Sequence, residues 1–449
     1  MAHRATLSTL FRRILSVVKI LGGAPCRGYD TIVVGMGAAG VKAAATLAKA
    51  GRRVLGLEAD DRIGGRIHTV AFEDGVIEIG GAALDTEVVG SIPMYCICTI
   101  PMINVKKKKH TSFILYLDLC CAFRIHGTVN NSVYDAAAQN NVSTEEQSLT
   151  NEVFRSDGSY GDRDLFNELI EFCEETIEES GDAPEPLGQF VTNEYNDGPG
   201  LPSLDIKLNK EVTQIKWPKD STEDVEVVCK DGETFTADNV IVTVSLGVLK
   251  ERYSELFSPS LPQEKIEAIQ IISIGIVDKI IIKFDKAWWT SIPYTYMFFL
   301  WKGEDKQQVS DEDYWTTRIF ACSISLGSQN TLTLWTSGEV GKLDVVLEKS
   351  VALLRQFIGN FTIPDPIGMI RSTWYSNPFT RGSYSYDSLA MLQHPDARSV
   401  LRQPLLDAAG TPKVLFAGEA TDLTHFSTVH GASDSGYREA MRLLSASKI

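Results

Sequence analysis

The chain has 449 residues, 44% hydrophobic and 22% charged, which is too much for one hydrophobic core and reads as a globular protein of two or three domains. A formal net charge of -15 excludes general binding to a phosphate backbone, so no nucleic-acid partner is expected, and it suits a cationic small molecule drawn in by the field. Eight cysteines without a CxxC pair exclude a zinc framework and a disulfide scaffold, and no metal site is read.

The first 28 residues hold no Asp or Glu but carry Arg4, Arg12, Arg13, Lys19 and Arg27 among Ser, Thr and aliphatic residues. This is the composition of a transit peptide, or of a secretory signal whose apolar run ILSVVKIL is interrupted by Lys19. A plain basic terminus is the alternative reading. At the other end, SKI differs from the peroxisomal tripeptide S-K-L only in its last residue. The two ends point to different compartments; an intracellular site (peroxisomal, mitochondrial or cytoplasmic) is expected over secretion. No stretch reaches the roughly 18 uncharged apolar residues of a membrane helix, so no transmembrane segment is expected.

From Asp30 to Ala59 the sequence DTIVVGMGAAGVKAAATLAKAGRRVLGLEA reads as strand, tight turn, helix and second strand. Gly35 permits the turn, Gly37 lets a diphosphate approach the backbone, and Gly40 lets the helix pack closely on the strand. The diphosphate then meets the unpaired amides and positive dipole end of the helix. Glu58 ends the second strand about twenty residues on, where an acid accepts both ribose hydroxyls of a dinucleotide and disfavours a 2′-phosphate.

The segment that follows, EADDRIGGR, resembles the E-A-x-x-R-x-G-G-R sequence of the flavin amine oxidase family. That resemblance implies FAD, with Gly64 and Gly65 allowing close passage of the chain and Arg66 supplying a guanidinium to the phosphates or flavin ring. Arg62 is a candidate for similar work. After GVIEIGGA the polyamine-oxidising branch continues with a Trp and a His-Gly facing the cleft; this chain reads ALDTEVVG and lacks both. Residues 91–130, with four cysteines, KKKK at 106–109 and the run FILYLDLCCAF, read as an atypical insertion, since their removal joins VVG to NSVYDAAA. Residues 162–180 have helical apolar spacing and resemble part of the substrate domain, which is shortened after Tyr195.

Later segments resemble the rest of the family's pattern. SLDIKLNKEVTQIKW and VEVVCKDGETFTADNVIVTVSLGVL alternate as strands, with Asp231-Gly232 as a hairpin turn. GIVDKIIIKFDKAWW resembles the strand whose lysine holds a water against flavin N5, which places Lys279 in that role. STWYSNPFTRGSYSY resembles the W-x-x-x-P-x-x-x-G-S-Y segment, which places Tyr384 as one wall of an aromatic cage. The preceding residue is the flavin-linking cysteine in mitochondrial monoamine oxidases; here it is Ser383, so FAD is expected without a covalent bond. TPKVLFAGEATDLTHFSTVHGASDSGYREAMRLL resembles the C-terminal signature, bringing Glu419 to the middle of the cofactor and the amides near Thr428 and Val429 to the N1–C2=O edge of the flavin. The other cage wall falls at His425, where relatives carry Tyr or Phe, and an imidazole that gains charge opposes a cationic substrate.

The resemblance implies a two-domain α/β flavoprotein with a discontinuous Rossmann-like FAD-binding domain (29–90, 204–260, 401–449) and a mixed α+β substrate domain (131–203, 261–400), besides the segments 1–28 and 91–130. The implied reaction is oxidation of an amine, closest to the polyamine (spermine-type) oxidases, by hydride transfer to flavin N5 with O2 as acceptor, giving aldehyde, amine and hydrogen peroxide. The partners are then a small-molecule amine and O2, and the oligomeric state stays open. Two alternatives remain: an amino-acid oxidase on the same scaffold, for which Arg381 is the nearest carboxylate-pairing candidate, and a catalytically degenerate FAD-binding homologue.

Overall fold

The computed structural model describes residues 28–72, 75–80, 94–97, 124–125, 144–147, 151–163, 203–292, 296–325, 328–338, 343–359 and 362–446. The targeting-like segment, most of the 91–130 insertion, nearly all of the helix expected over 162–180 and the SKI end lie outside these. Within the insertion, Met94–Ile97 and Arg124–Ile125 are strands that pair antiparallel with each other, and Met94–Ile97 also pairs with Thr144–Gln147. No helix among the described residues is long and apolar enough to cross a membrane.

Two large sheets organise the chain. The parallel centre of the nine-stranded sheet runs Pro412–Phe416, Thr234–Val242, Tyr29–Val34, Val54–Leu57, Leu204–Lys207. Val212–Lys216 and Val225–Cys229 extend it antiparallel from the first half of Thr234–Val242, across a turn in which Gly232 has φ 89°. Every residue from Thr31 to Val34 is buried, as in a parallel sheet covered on both faces. The two-residue period of a strand then sorts these side chains. Ile32 and Val34 enter one core with Leu55 and Leu57, and Val33 enters the other with the Ala38–Lys49 and Val429–Ala446 helices.

The six-stranded sheet has the order Gly368–Arg371, Val277–Lys283, Thr331–Ser337, Ile319–Ile324, Tyr296–Leu300, Asn151–Arg155. Alternation decides its two faces as well. Ile280 and Ile282 pack into the core shared with the Leu343–Phe357 helix, while Ile281 packs against Ile77, Ile79 and Trp374 on the opposite side. By the same alternation Lys279 shares the Ile281 face.

The structure moves two boundaries of the sequence division. Gln263–Ile271 and the segment 391–400, assigned by sequence to the substrate side, bury Ala268, Ile269, Met391 and Ala397 in the core of the larger sheet with Ile215, Phe257, Leu401 and Phe416. Lys265 Nζ fastens them by donating to the carbonyls of Val400, Leu401 and Gln403 at 2.7–2.9 Å. Their apolar residues complete that core, which local sequence could not reveal.

Candidate cofactor and active site

The turn after the first strand is built from three glycines with different constraints. Gly35 has φ 92°, and Thr243 Oγ1 donates to the carbonyls of Val34 and Gly35 at 3.0 and 2.8 Å, pinning the turn to the neighbouring strand. Gly40 carries the helix against this turn: a Cβ there would lie 1.9 Å from Gly35 O. Gly37, just before the helix, has extended backbone, and a Cβ there would meet nothing closer than Gly64 O at 3.9 Å. Gly37 lines a large cavity, together with Gly35, Ala38 and Ala39. Across from it, Gly64 and Gly65 have φ 101° and 59°, and Arg62 braces their turn by donating to the carbonyls of Ile63, Gly65 and Ile67.

Glu58 is buried on the same wall. Its Oε2 accepts from Met36 N at 2.7 Å and its Oε1 from Asp60 N at 2.9 Å. Burial outweighs these amides and raises its carboxyl above the ordinary value.

Further along the wall, Arg66 Nη1 donates to Ser383 O at 2.7 Å and to Glu419 Oε1 at 3.0 Å. Glu419 is buried, which alone would raise its pKa; Arg66, the Ser385 hydroxyl at 2.6 Å and the Ser427 amide at 2.9 Å outweigh burial and hold it below the ordinary carboxylate value. Ser427 has φ 67°, and the chain then enters the Val429–Ala446 helix. Thr428 Oγ1 accepts from Gly431 N at 3.0 Å, an N-cap that leaves the first amides of this helix beside the cavity.

The far end of the cavity is aromatic. Lys279 Nζ donates to Glu78 O at 3.0 Å and Gly80 O at 2.6 Å, and lies 4.9 Å from the Trp335 ring centroid. Trp335 is the direct cross-strand partner of Lys279, so both side chains leave the sheet on one face. Trp374 and Tyr384 complete this end, and burial raises the Tyr384 hydroxyl above its ordinary pKa. Ser383 also lines the cavity, donating to Gly275 O and accepting from Val277 N, both at 3.0 Å; no cysteine is among the described residues that line it.

The structure thus brings Gly35, Gly37, Glu58, Gly65, Arg66 and Lys279 around one cavity with Tyr384, Glu419, Thr428 and Val429. Gly40 stands behind its wall as a packing residue. His425 is not on it. The ring of His425 lies 4.7 Å from that of His430, and among the described histidines it is His430 that lines the cavity. Arg381 also points elsewhere, pairing with Glu251 at 2.7 Å. Sequence reasoning missed Trp335, Trp374 and His430. Trp335 joins the site through its pairing with Lys279, a register that no local sequence signal carries.

The wall fits a flavin dinucleotide. Two helix N-termini offer amides, glycines leave backbone bare on both sides, a carboxylate stands beyond the first turn, and the other end is apolar and aromatic.

The sequence pattern described as "Flavin containing amine oxidoreductase" matches residues 38–95 and 176–444, well over half of the chain. Peroxisomal N(1)-acetyl-spermine/spermidine oxidase of Homo sapiens is 37% identical over 268 residues, covering 55% of this chain and 52% of that protein. Protein anon-37Cs of Drosophila lebanonensis is 29% identical over 489 residues, covering 92% of this chain and 87% of that protein. A solved variant of putrescine oxidase matches with a TM-score of 0.60 at 19% identity, covering 94% of this chain and 100% of that one, a likeness of fold. The matched region spans about half the length of the spermine/spermidine oxidases.

Proposed function

The chain belongs to the flavin containing amine oxidoreductase family, whose cofactor is FAD, and from that membership we propose that it oxidises an amine of the polyamine class with O2 as acceptor. One observation carries this reading: a single cavity joins dinucleotide-cradling backbone at Gly37 to an aromatic end that holds Lys279.

Bound FAD would supply the acceptor for a hydride from the amine's α-carbon. The chain's own residues then divide the work. The amides of the Ala38 helix and the bare backbone at Gly37 and Gly65 receive the diphosphate, and Glu58 the ribose beyond it. Arg66 and Glu419 hold the middle. The first amides of the Val429 helix, near Thr428, face the ring edge where negative charge develops. Lys279, at the aromatic end, would supply a cationic donor near the ring. Trp335, Trp374 and Tyr384 exclude water from the amine, favouring the uncharged base whose lone pair the reaction needs. Ser383 beside the cavity, where the linking cysteine of the mitochondrial monoamine oxidases would fall, supports a reading in which FAD is held without a covalent bond.

The amine class is supported by the relatives named for spermine and spermidine and by the net charge of -15. The amino-acid oxidase alternative loses its candidate, because Arg381 is engaged with Glu251. Peroxide release from the flavin-loaded protein with spermine, acetylated spermine, spermidine, a monoamine and an amino acid tests the proposal. Turnover of a polyamine is the expected result; turnover of the amino acid alone overturns the substrate class, and silence with every substrate favours a catalytically degenerate homologue.

A further inference from the structure

Arg398 lies outside the cavity wall, yet it touches the groups that stand behind that wall. Its side chain is 4% exposed. Nε and Nη2 donate to Asp387 Oδ1 at 3.0 and 2.7 Å, and Nη1 donates to Ser385 Oγ at 2.9 Å and Ala420 O at 3.1 Å. Its Cζ sits 3.7 Å from the centroid of the Phe426 ring.

The hydroxyl of Ser385 has one proton. Because its oxygen accepts from Arg398, that proton is directed to Glu419 Oε2, 2.6 Å away. The result is a row of alternating charge, Asp387, Arg398, Glu419 and Arg66, that starts at a half-exposed carboxylate and ends at the cavity. The same guanidinium grips the chain from Ala420 to Phe426, the segment that leads through Ser427 into the Val429 helix. Ser427 in turn is tied back, its amide donating to Glu419 and its hydroxyl to Ser385 O.

We propose that Arg398 is a positioning residue: through Ser385 and Phe426 it fixes Glu419 and the entry of the Val429 helix against the flavin. Arg398 touches neither cofactor nor substrate. A lysine cannot replace it, since one ammonium cannot fork to Asp387 and Ser385 while presenting a planar face to Phe426. The proposal rests on the reading of the cavity as an FAD site.

The test uses the full chain and compares wild type with Arg398→Lys, Arg398→Met, Ser385→Ala and Phe426→Leu. FAD affinity is read by titration, the midpoint potential of the bound flavin by redox titration, and kcat separately from KM. Arg398→Met should weaken binding of oxidised FAD about tenfold, the factor expected from losing one charge-assisted hydrogen bond. Reduced flavin should lose about a further tenfold as the helix amides lose their aim, which lowers the midpoint potential by about 30 mV. Arg398→Lys should behave like Arg398→Met, and kcat should fall with KM little changed, because the aromatic end is untouched. Combining Ser385→Ala with Arg398→Met should add little to either single change, as expected of one network.

Phe426→Leu leaves every ion pair in place and serves if Arg398→Met fails to fold; it should shift the potential in the same direction by a smaller amount. Wild-type affinity and potential in any folded Arg398 variant, or in Phe426→Leu, would overturn the proposal. A wild-type protein that takes up no flavin sinks the FAD reading and this inference with it, whereas a loaded wild type with unchanged variants sinks this inference alone.

Discussion

Gly37 and Gly40 stand three residues apart in one turn and resist substitution for opposite reasons. A methyl at Gly40 meets Gly35 O at 1.9 Å, so the helix must move off the strand. Gly40→Ala should destabilise the flavin-free protein by about 1–3 kcal/mol, the usual cost of overpacking, as measured by chemical unfolding. A methyl at Gly37 meets no protein atom closer than 3.9 Å. Gly37→Ala should therefore leave flavin-free stability within about 0.5 kcal/mol of wild type. Its effect should fall on FAD affinity instead, and an unchanged titration would detach Gly37 from the diphosphate. Lys279→Met should slow flavin reduction by substrate while FAD stays bound; it also leaves the carbonyls of Glu78 and Gly80 without this donor, at a cost of about 1–3 kcal/mol in stability. A reduction rate equal to wild type in stopped flow would remove Lys279 from the chemistry. The glycine turn was legible in the sequence because its logic is local, each residue answering to neighbours a few positions away. Counting along a motif fixes a residue's position in sequence but not its neighbours in space: the His425 ring lies beside that of His430, and of the two it is His430 that lines the cavity.

Among the elements, the Ala38 and Val429 helices meet closely, since a Cβ on Gly436 would lie 2.1 Å from Ala39 O. This small-residue contact encloses two ionisable groups. Burial lowers Lys42 from 10.5 to about 7, with Asp434 opposing the shift. Burial raises Asp434 from 3.8 to about 6, with Asp422 adding to the shift and His425 and Lys42 opposing it. For Asp434, the folded protein holds the proton more tightly than the unfolded chain, so stability falls as pH rises from 3.8 to about 6. For Lys42, the folded protein releases its proton more easily, so stability climbs as pH rises from about 7 toward 10.5. Their combined penalty is deepest between those two windows, where both are charged. Replacing both with leucine should raise stability there by about 1–4 kcal/mol, as happens when buried ion pairs give way to apolar packing. Denaturant unfolding at pH 5, 6.5 and 9 checks this: parallel curves for wild type and double variant would contradict it. Several elements were readable, from the alternation around Val212–Lys216 and Val225–Cys229 and from the β-prone run Thr31–Val34 that leads into the glycines. The Gln263–Ile271 helix was not read from the sequence, and its place in the larger sheet's core depends on Met391 and Leu401, more than a hundred residues later.

At the scale of the whole molecule, the larger sheet sets strands that start at Tyr29, Val54, Leu204, Thr234 and Pro412 side by side, and the cavity exists only because of those pairings. Sequence pattern specifies which face of a strand is apolar but carries little information about its neighbour, so the sheet order came from structure while the motifs on its edges came from sequence. Net charge is also a property of the whole chain. On the proposed reading, a net charge of -15 would attract a polycationic amine from beyond contact range, yet the aromatic end of the cavity would have to receive the reacting nitrogen uncharged. Capture and chemistry therefore respond differently to salt. Raising ionic strength from 0.01 to 0.15 M shortens the screening length from about 30 to about 8 Å. Over that range kcat/KM for a polycationic substrate should fall severalfold, within the roughly tenfold or greater span that steering can supply, while kcat stays level because the bound amine no longer samples the outer field. A monoamine of lower charge should show a shallower slope. Equal slopes for the two substrates would mean that the acidic surface has no part in capture, and that selectivity among amines is decided wholly at Trp335, Trp374 and Tyr384.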